Sequence, residues 1–346
     1  MTPLVDCTTP FTDAVQILES TCDVLMTEFQ WHSIAVMEGL SECEYYLLAW
    51  TSAEDLQAEM DVLHRKGKNY LEIVEANEDF IKCFLKTSNP NIEQQAIELI
   101  IQLPPPQQFK SALGSVANCD HEEPRKIGDL LKNQNGDGVG SVGCFIVSQE
   151  GTVYAVTAYH VVANNDSNQS SLGNVIESPP HHNQELGILR WYAYDDRSDI
   201  ALIEISDGVR VTNQHTCCFP LSKKFGKAPK AGEKVKICSG IDDLEVKTAK
   251  VESPFVVAWV FDGAHQKLMK GLTRTSDLGV NGDSGSIVVN SKNEAVGLLI
   301  GDTAEEYSYF MSLDILRTEI EIPQLPSRTS IAGSSGKKTF QFKEFH

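Results

Sequence analysis

Asn281-Gly282-Asp283-Ser284-Gly285-Ser286 stands directly before the apolar run Ile287-Val288-Val289, and its glycines predict a tight turn there. Such a turn exposes one hydroxyl and aims several backbone N–H groups at one point, because glycine relieves crowding where the backbone approaches a substrate. A serine nucleophile needs this geometry, so Ser284 is the candidate nucleophile and the N–H groups of Gly282 and Ser284 are the candidate oxyanion hole. The alternative is an ordinary turn between strands, so the motif needs partners elsewhere.

Two upstream residues supply those partners. His160 follows the strand-like run Val153-Tyr154-Ala155-Val156, and Asp199 begins the run Ile200-Ala201-Leu202-Ile203. Serine is a weak nucleophile at neutral pH unless a base accepts its proton, and the base works best when a third group fixes its tautomer. We therefore predict that His160 is the base and that Asp199 orients it.

The order His160, Asp199, Ser284, flanked by T-A-Y-H, D-I-A-L and G-D-S-G, resembles the trypsin/chymotrypsin superfamily over about residues 138 to 320. Short strand-like runs separated by polar or glycine-containing turns fill the same region. The resemblance implies an all-β double β-barrel with a protein substrate cleaved in the cleft between the barrels. It implies a serine endopeptidase that needs no cofactor.

The resemblance also implies a specificity pocket, for which Asp277, Leu278 and Gly301 are the candidate residues. A buried Leu278 favours an apolar or small residue before the scissile bond, whereas an inward Asp277 favours Lys or Arg, because an unpaired buried charge is costly. Secreted relatives are activated by a cut whose new ammonium pairs with the aspartate before the nucleophile, here Asp283. The candidate cut lies in Arg125-Lys126-Ile127-Gly128, and the alternative is a basic dipeptide in a linker.

Residues 1–103 are predicted to be an all-α helical bundle. Apolar side chains recur at spacings of three and four, and Thr51-Ser52-Ala53-Glu54 matches a capping box. Further helices are predicted at Tyr70 to Ala76, Asp79 to Lys86 and Asn91 to Leu103.

Parts of this bundle are similar to the second half of a caspase-recruitment-like death-fold domain: Leu63 to Tyr70, Phe80 to Thr87 and Asn91 to Leu99. The resemblance implies homotypic binding to a death-fold partner, as in immune or cell-death signalling, and so a protease recruited or activated through residues 1–103.

Charge is unevenly distributed along the chain. The formal net charge is −19, and residues 1–103 carry 18 Asp/Glu against 5 Lys/Arg. Acidic surfaces repel phosphate backbones, so we expect no nucleic acid partner and favour a basic protein surface, with simple solubility as the alternative.

The domain organisation follows from composition. We predict a helical recruitment domain at 1–103, a linker with a triproline at 104–137, a protease domain at 138–320 and a flexible tail at 321–346. No apolar run reaches the roughly 18 residues that a membrane span needs, and no basic-then-apolar leader is visible at the N-terminus.

The nine cysteines are odd in number and show no paired framework. Val161 and Val280 stand where secreted relatives carry disulfide cysteines, so we expect reduced thiols and a cytoplasmic location. No metal is expected, because CxxC and H-x₃₋₅-H spacings are missing.

Two other functions fit the same residues. The chain is either an intracellular endopeptidase or, alternatively, a signalling adaptor whose degenerate protease domain is a binding module. An esterase built on the same triad is a third hypothesis. Labelling of Ser284 by a fluorophosphonate separates the adaptor from the enzymes.

Overall fold

The computed structural model describes most of the chain in two compact units. Unit 1 comprises Met1–Gln107 and Glu252–Arg274, and unit 2 comprises Gln108–Val251 and Thr275–His346. The described residues are 10–29, 31–39, 45–51, 53, 55–67, 70–77, 80–86, 96–103, 124–135, 139–163, 170–178, 184–213, 219–239, 246–262, 265–276, 278–279, 282–302, 307–318, 320–322 and 336–342.

Unit 1 combines helices with a β-sheet. Its helices are α1 (Phe11–Glu28) and α2 (Leu56–Lys66). Its own strands are β1 (Trp31–Glu38), β2 (Tyr45–Thr51), β3 (Leu71–Ala76), β4 (Phe80–Lys86) and β5 (Ala96–Gln102).

Unit 2 is built almost entirely of strands. It contains the one-turn helix α3 (Tyr159–Val162) and a 3-10 helix, Asp314–Arg317. Its strands, of which β16 and β17 continue into unit 1, are β6 (Arg125–Lys126), β7 (Leu130–Asn133), β8 (Val139–Ser141), β9 (Cys144–Ser148), β10 (Val153–Thr157), β11 (Val175–Ser178), β12 (Gln184–Tyr194), β13 (Asp199–Ile205), β14 (Val211–Thr212), β15 (Lys234–Cys238), β16 (Val246–Asp262), β17 (His265–Ser276), β18 (Ile287–Asn290), β19 (Ala295–Asp302), β20 (Tyr307–Ser312), β21 (Ile320–Ile322), β22 (Gly336–Lys338) and β23 (Phe340–Gln341).

The sheet of unit 1 has the order β16-β1-β2-β5-β4-β3. Strands β2 and β5 are parallel, and the other described pairs are antiparallel. Alternate residues of β4 and β5 are buried, because successive side chains of a strand point to opposite faces. These residues pack with the apolar face of α1 in one hydrophobic core: Ile17, Leu18, Leu25, Ile81, Cys83, Leu85, Ile97, Leu99 and Ile101.

The prediction of an all-α bundle at 1–103 is wrong. The first two periodic segments do form α1 and α2, but the three later segments form the strands β3, β4 and β5. Two further strands, β1 and β2, lie in stretches where none was predicted. The resemblance to a death fold is not supported either, because that fold contains only helices and residues 1–103 include strands.

The start of α2 also differs from its prediction. Asp55, not the predicted capping box, caps the helix, and its carboxylate accepts the Ala58 N–H at 2.6 Å. The Thr51 hydroxyl instead accepts the Ala53 N–H and donates to the buried carboxylate of Glu59 at 2.6 Å. A polar residue before a helix is a good cap only when the chain turns there, and β2 still occupies Thr51.

Unit 2 contains two principal sheets, in line with the prediction of a β-rich region. One has eight strands in the order β23-β9-β10-β13-β12-β11-β7-β8. In the other, the strands run β15-β18-β19-β20-β17-β16, and the pairing of β15 with β16 closes this order into a ring. The strands predicted at Cys144 to Ser148 and Val153 to Thr157 are found without change.

One predicted pair of strands is a single element. The runs Ala249 to Val251 and Val256 to Phe261 are both parts of β16, which passes without a break from unit 2 into unit 1. Strand β17 returns in the same way. Pro254 separated the two runs in the sequence, but the strand continues through it.

The predicted linker and tail contain some regular structure. Strands β6 and β7 lie in the stretch 104–137, and β22 and β23 lie in the stretch 321–346. The helix predicted at Phe109 to Val116 lies outside the described residues.

Among the described cysteines, Cys238 differs from the expectation of reduced thiols. Cys238 is disulfide-bonded. Cys22, Cys83 and Cys144 are free and buried. Burial raises the pKa of the Cys83 thiol to about 12, which keeps it protonated and unreactive.

A search of the described helices finds none that is both long and apolar enough to cross a membrane. The same residues contain no cluster of three or more His, Cys, Asp or Glu side chains that could hold a metal ion.

Candidate active site

Strand pairing brings His160 and Asp199 together. In the antiparallel pair of β10 and β13, Thr157 lies opposite Ala201. His160 lies in α3, three residues after Thr157. Asp199 is the first residue of β13, two residues before Ala201. Because antiparallel neighbours run in opposite directions, the residues after β10 and the first residue of β13 meet at the same edge of the sheet.

Asp199 holds His160 through both of its carboxylate oxygens. Oδ1 accepts the backbone N–H of His160 at 3.0 Å, and Oδ2 lies 2.8 Å from the imidazole Nδ1. The Asp199 side chain is 4% exposed and the His160 side chain 15% exposed. Two contacts from one carboxylate fix both the backbone and the ring of the histidine.

The contact with Asp199 decides the tautomer of His160. An ionised carboxylate can only accept hydrogen bonds, so Nδ1 must carry the proton. In the neutral imidazole, Nε2 is then the unprotonated nitrogen. The ring is therefore held in the form that accepts a proton at Nε2.

The turn at Ser284 adopts the glycine-dependent backbone that its sequence predicts. Gly282 and Gly285 have φ values of 99° and 89°. The Gly285 N–H donates to Leu299 and the Ser286 N–H donates to Asp283. Among the described residues, no acceptor takes the N–H of Gly282 or Ser284, the two predicted oxyanion donors.

The same turn packs against the segment Gly140–Gly143 of the eight-stranded sheet. The Ser141 N–H donates to the Ser284 carbonyl at 2.8 Å, and the Ser141 hydroxyl donates to the Gly282 carbonyl at 3.0 Å. A Cβ at Gly143 would lie 2.5 Å from the Gly285 carbonyl oxygen. The backbones are too close for side chains, which is why glycines stand on both sides of the contact.

The Ser284 hydroxyl donates to the backbone carbonyl of Ile300 at 2.9 Å. A hydroxyl has one proton, so in this conformation it is not donated to His160. Transfer of the proton to the imidazole requires rotation of the Ser284 side chain. This contact was not predictable from the sequence, because a backbone acceptor carries no residue-specific signal.

The predicted specificity residues have different surroundings. Leu278 is fully buried and belongs to a hydrophobic core cluster of unit 2, and its N–H donates to Ser308 Oγ at 2.9 Å. Gly301 has a φ of 155°, and a Cβ there would lie 3.9 Å from Ser284 Oγ. Asp277 lies outside the described residues.

An aromatic cluster adjoins His160 in the sequence. Tyr159 stacks on Tyr192 with ring centroids 4.0 Å apart and also contacts Tyr194. Burial raises the pKa of Tyr159, so its hydroxyl, 3.1 Å from Ser171 Oγ, stays protonated at neutral pH. Pattern reading missed this cluster, because its members come from two separate elements.

The sequence also missed two partners of Asp283. This carboxylate has no exposed surface. Ser239 Oγ donates to its Oδ1 at 2.7 Å, and Lys247 Nζ lies 3.5 Å from its Oδ2. No motif marks Ser239 or Lys247 in the sequence.

The sequence model of the family described as "Trypsin-like peptidase domain" matches residues 142–298. The chain contains a trypsin-like peptidase domain. The match spans His160, Asp199 and Ser284 and confirms the resemblance drawn from the three motifs. No curated protein matches the chain.

Solved structures similar to the chain include bacterial proteases. Thermobifida fusca Protease A is 17% identical, with a TM-score of 0.43 over 56% of this chain and 94% of that chain. Nocardiopsis protease is 18% identical, with a TM-score of 0.42 over 55% and 94%. Cellulomonas bogoriensis chymotrypsin is 16% identical, with a TM-score of 0.41 over 56% and 94%.

Gly285→Ala should destabilise the peptidase domain much more than Gly151→Ala. Both glycines have a φ of 89°. A Cβ at Gly285 would lie 2.2 Å from Thr157 Oγ1, whereas one at Gly151 would have no neighbour within 4 Å. We expect Gly151→Ala to cost about 1 to 2 kcal/mol through backbone strain, and Gly285→Ala about 1 to 3 kcal/mol more through overpacking. Urea unfolding measures both, and equal costs would contradict the close packing of the turn.

Proposed function

We propose that the peptidase domain is a serine endopeptidase in which Ser284 is the nucleophile, His160 the general base and Asp199 the residue that orients the base. The observation that carries this proposal is the double contact of the Asp199 carboxylate with the backbone and Nδ1 of His160. A structural histidine needs partners for its ring nitrogens, but it does not need the same carboxylate to hold its backbone as well. A carboxylate that fixes ring, backbone and tautomer together serves a base that must repeatedly accept a proton.

In the proposed reaction, Ser284 and His160 act in successive steps. The Ser284 hydroxyl rotates from Ile300 to His160, whose Nε2 takes the proton as Oγ attacks the peptide carbonyl. The N–H groups of Gly282 and Ser284 bind the oxyanion of the tetrahedral intermediate. His160 then protonates the leaving amine, and a water molecule, activated by the same histidine, hydrolyses the acyl-enzyme.

For substrate preference we propose an apolar or small residue before the scissile bond. Leu278 is buried among apolar side chains and contributes no charge that a Lys or Arg could pair with. Gly301, close to Ser284 Oγ, has no side chain to fill the space beside the nucleophile. A peptide library with all residues at that position tests the preference.

The second candidate function is an adaptor that uses a degenerate protease domain as a binding module. The hydrogen bond of Ser284 to Ile300 is the observation in its favour, because a nucleophile held there is not activated. The preserved contact between His160 and Asp199 counts against it, because a binding module has no need of an oriented base. An esterase would share the acylation step and would differ only in its substrates.

For unit 1 we propose recruitment of a protein with a basic surface. The acidic excess of residues 1–103 supports this role, because charge complementarity speeds association. The immune or cell-death role was implied only by the death-fold likeness, which the strands of unit 1 remove. Unit 1 also includes Glu252–Arg274, so a deletion of residues 1–103 would leave part of its sheet without partners.

Ser284→Ala should abolish peptide hydrolysis and fluorophosphonate labelling. The expected loss in rate is on the order of 10⁴ to 10⁶, because the nucleophilic oxygen is removed. Ser286→Ala is the matched control. Its hydroxyl lies in the same turn, is buried and has no hydrogen-bond partner in the described part of the chain, so its removal should leave activity unchanged.

If Ser284→Ala keeps more than about a tenth of the wild-type rate, Ser284 is not the nucleophile. If the wild-type protein is not labelled and hydrolyses no peptide, the adaptor function takes the place of the endopeptidase.

Glu72→Lys combined with Glu75→Lys should weaken recruitment. These exposed residues pair with Phe84 and Lys82, two residues apart in β4, so both lie on one face of the sheet of unit 1. We expect fewer new protein N-termini in cells and unchanged hydrolysis of a small peptide. Asp207→Lys, an exposed reversal in unit 2, is the control. Equal loss of peptide hydrolysis would point to a folding defect instead.

A cytoplasmic location is the further proposal from the cysteine pattern, and the Cys238 disulfide opposes it, because structural disulfides are rare in reducing compartments. With nine cysteines and Cys238 paired, alkylation of the unreduced, denatured protein should count no more than seven thiols. Nine thiols in protein alkylated directly in cells would support the cytoplasm and contradict the disulfide.

A further inference from the structure

Asp283 is a buried carboxylate inside the turn that presents Ser284. It stands between Gly282 and Ser284, whose N–H groups are the proposed oxyanion donors, and it has no exposed surface. Each carboxylate oxygen has its own partner: Oδ1 accepts the Ser239 hydroxyl at 2.7 Å, and Oδ2 pairs with Lys247 Nζ at 3.5 Å. The side chain thus points away from the substrate side of the turn and into the domain.

The inward position of Asp283 depends on these partners. A buried carboxylate without a cation and hydrogen bonds is strongly unfavourable, and it would turn outward to water if they were lost. Rotation of Asp283 would also turn the peptide groups on either side of it. Those groups include the N–H of Ser284, so the oxyanion donors and the carboxylate belong to one conformation of the turn.

Lys247 and Ser239 are held by the sheet into which the turn leads. Lys247 lies in β16 opposite Ile237 of β15, and Ser239 follows the last residue of β15. Strand β15 also pairs with β18, the strand that leaves the turn. The two partners of Asp283 are therefore fixed by the same sheet that fixes the end of the nucleophile turn.

We propose that Lys247 and Ser239 are positioning residues that hold the Ser284 turn in its acylation-competent form in the uncut chain. This inference rests on the proposed endopeptidase function. Lys247 provides, from within the chain, the cation that Asp283 needs. A new N-terminal ammonium is then not required, and the turn is ready without a cut after Lys126.

The surroundings of the Lys126–Ile127 bond agree with this. Ile127 is fully buried, and the Lys126 N–H donates to Asp129 Oδ2 at 2.9 Å. Lys126 also pairs with Thr212 in the two-stranded sheet of β6 and β14. Arg125 is 5% exposed, and its Nη2 donates to Gln184 at 2.9 Å. A protease would have to unfold this segment locally to reach the bond.

The first experiment asks whether the uncut chain acylates. The full-length protein is treated with a fluorophosphonate and its intact mass is measured. We expect the full-length mass plus one label, and no label on Ser284→Ala. Labelling that appears only after cleavage following Lys126 would overturn the inference but keep the proposed function. No labelling of either form would overturn the proposed function itself.

The second experiment substitutes Lys247, the cationic partner of Asp283. Lys247→Met removes the cation at similar length, Lys247→Arg restores it, and Lys250→Met, an exposed lysine of the same strand, is the control. We expect Lys247→Met to lower kcat about 10² to 10³-fold, as the loss of an oxyanion donor does. KM should change less than about threefold, since the ground state makes little use of the oxyanion donors. Lys247→Arg should recover most of the rate, and Lys250→Met should match wild type.

If Lys247 had only a structural role, its loss should weaken binding of a transition-state analogue and of a ground-state analogue alike. The proposed positioning role predicts that the two affinities separate. Affinity for a peptide aldehyde, whose adduct with Ser284 carries the oxyanion, should fall in parallel with kcat, while affinity for the corresponding peptide amide should not. All variants are assayed where urea unfolding shows them to be folded. If Lys247→Met does not fold, Ser239→Ala, which keeps the ion pair, should lower kcat about tenfold. Wild-type kcat in Lys247→Met, or in Ser239→Ala where only that variant folds, would overturn the proposal.

Discussion

The close approach of two backbone segments determines the site. Ser141 of the segment Gly140–Gly143 donates two hydrogen bonds to backbone carbonyls of the turn Gly282–Gly285, one from its N–H and one from its hydroxyl. This contact joins the two principal sheets of unit 2, one carrying His160 and Asp199, the other carrying Ser284. The separation of His160 from Ser284 therefore depends on this contact, in which backbone carbonyls of the turn accept both hydrogen bonds.

The geometry of the site also depends on the pairing of β10 with β13. It brings Asp199 to the edge where His160 leaves its strand. The Asp199 carboxylate orients His160, because it contacts both the ring and the backbone N–H of the histidine. A one-residue shift of β13 in this register would turn Asp199 to the opposite face of the sheet, away from His160, so the ladder that specifies the fold also specifies the contact between these two residues.

The peptidase region was predictable from sequence and unit 1 was not. In a motif such as G-D-S-G, the chemistry restricts the residue type at each position. A short apolar run indicates secondary structure only through the spacing of its apolar residues. In β4, the buried residues Ile81, Cys83 and Leu85 alternate as in a strand, but Ile81, Phe84 and Leu85 also fit helical spacing. Seven residues cannot separate the two patterns, and pairing with β5, distant in sequence, decides between them. The contact of Lys247 with Asp283 likewise depends on strands distant in sequence, here on the pairing of β15 with β16 and β18.

Strands β16 and β17 each contain residues of both units. Val246 to Val251 of β16 belong to unit 2 and include Lys247, while the rest of the strand belongs to unit 1 and pairs with β1. Unit 1 is therefore discontinuous in sequence, and it cannot be removed without cutting a strand that supports Asp283. Mutations at Lys247 therefore test the proposed role of this residue with unit 1 intact, which a deletion of the N-terminal residues cannot do.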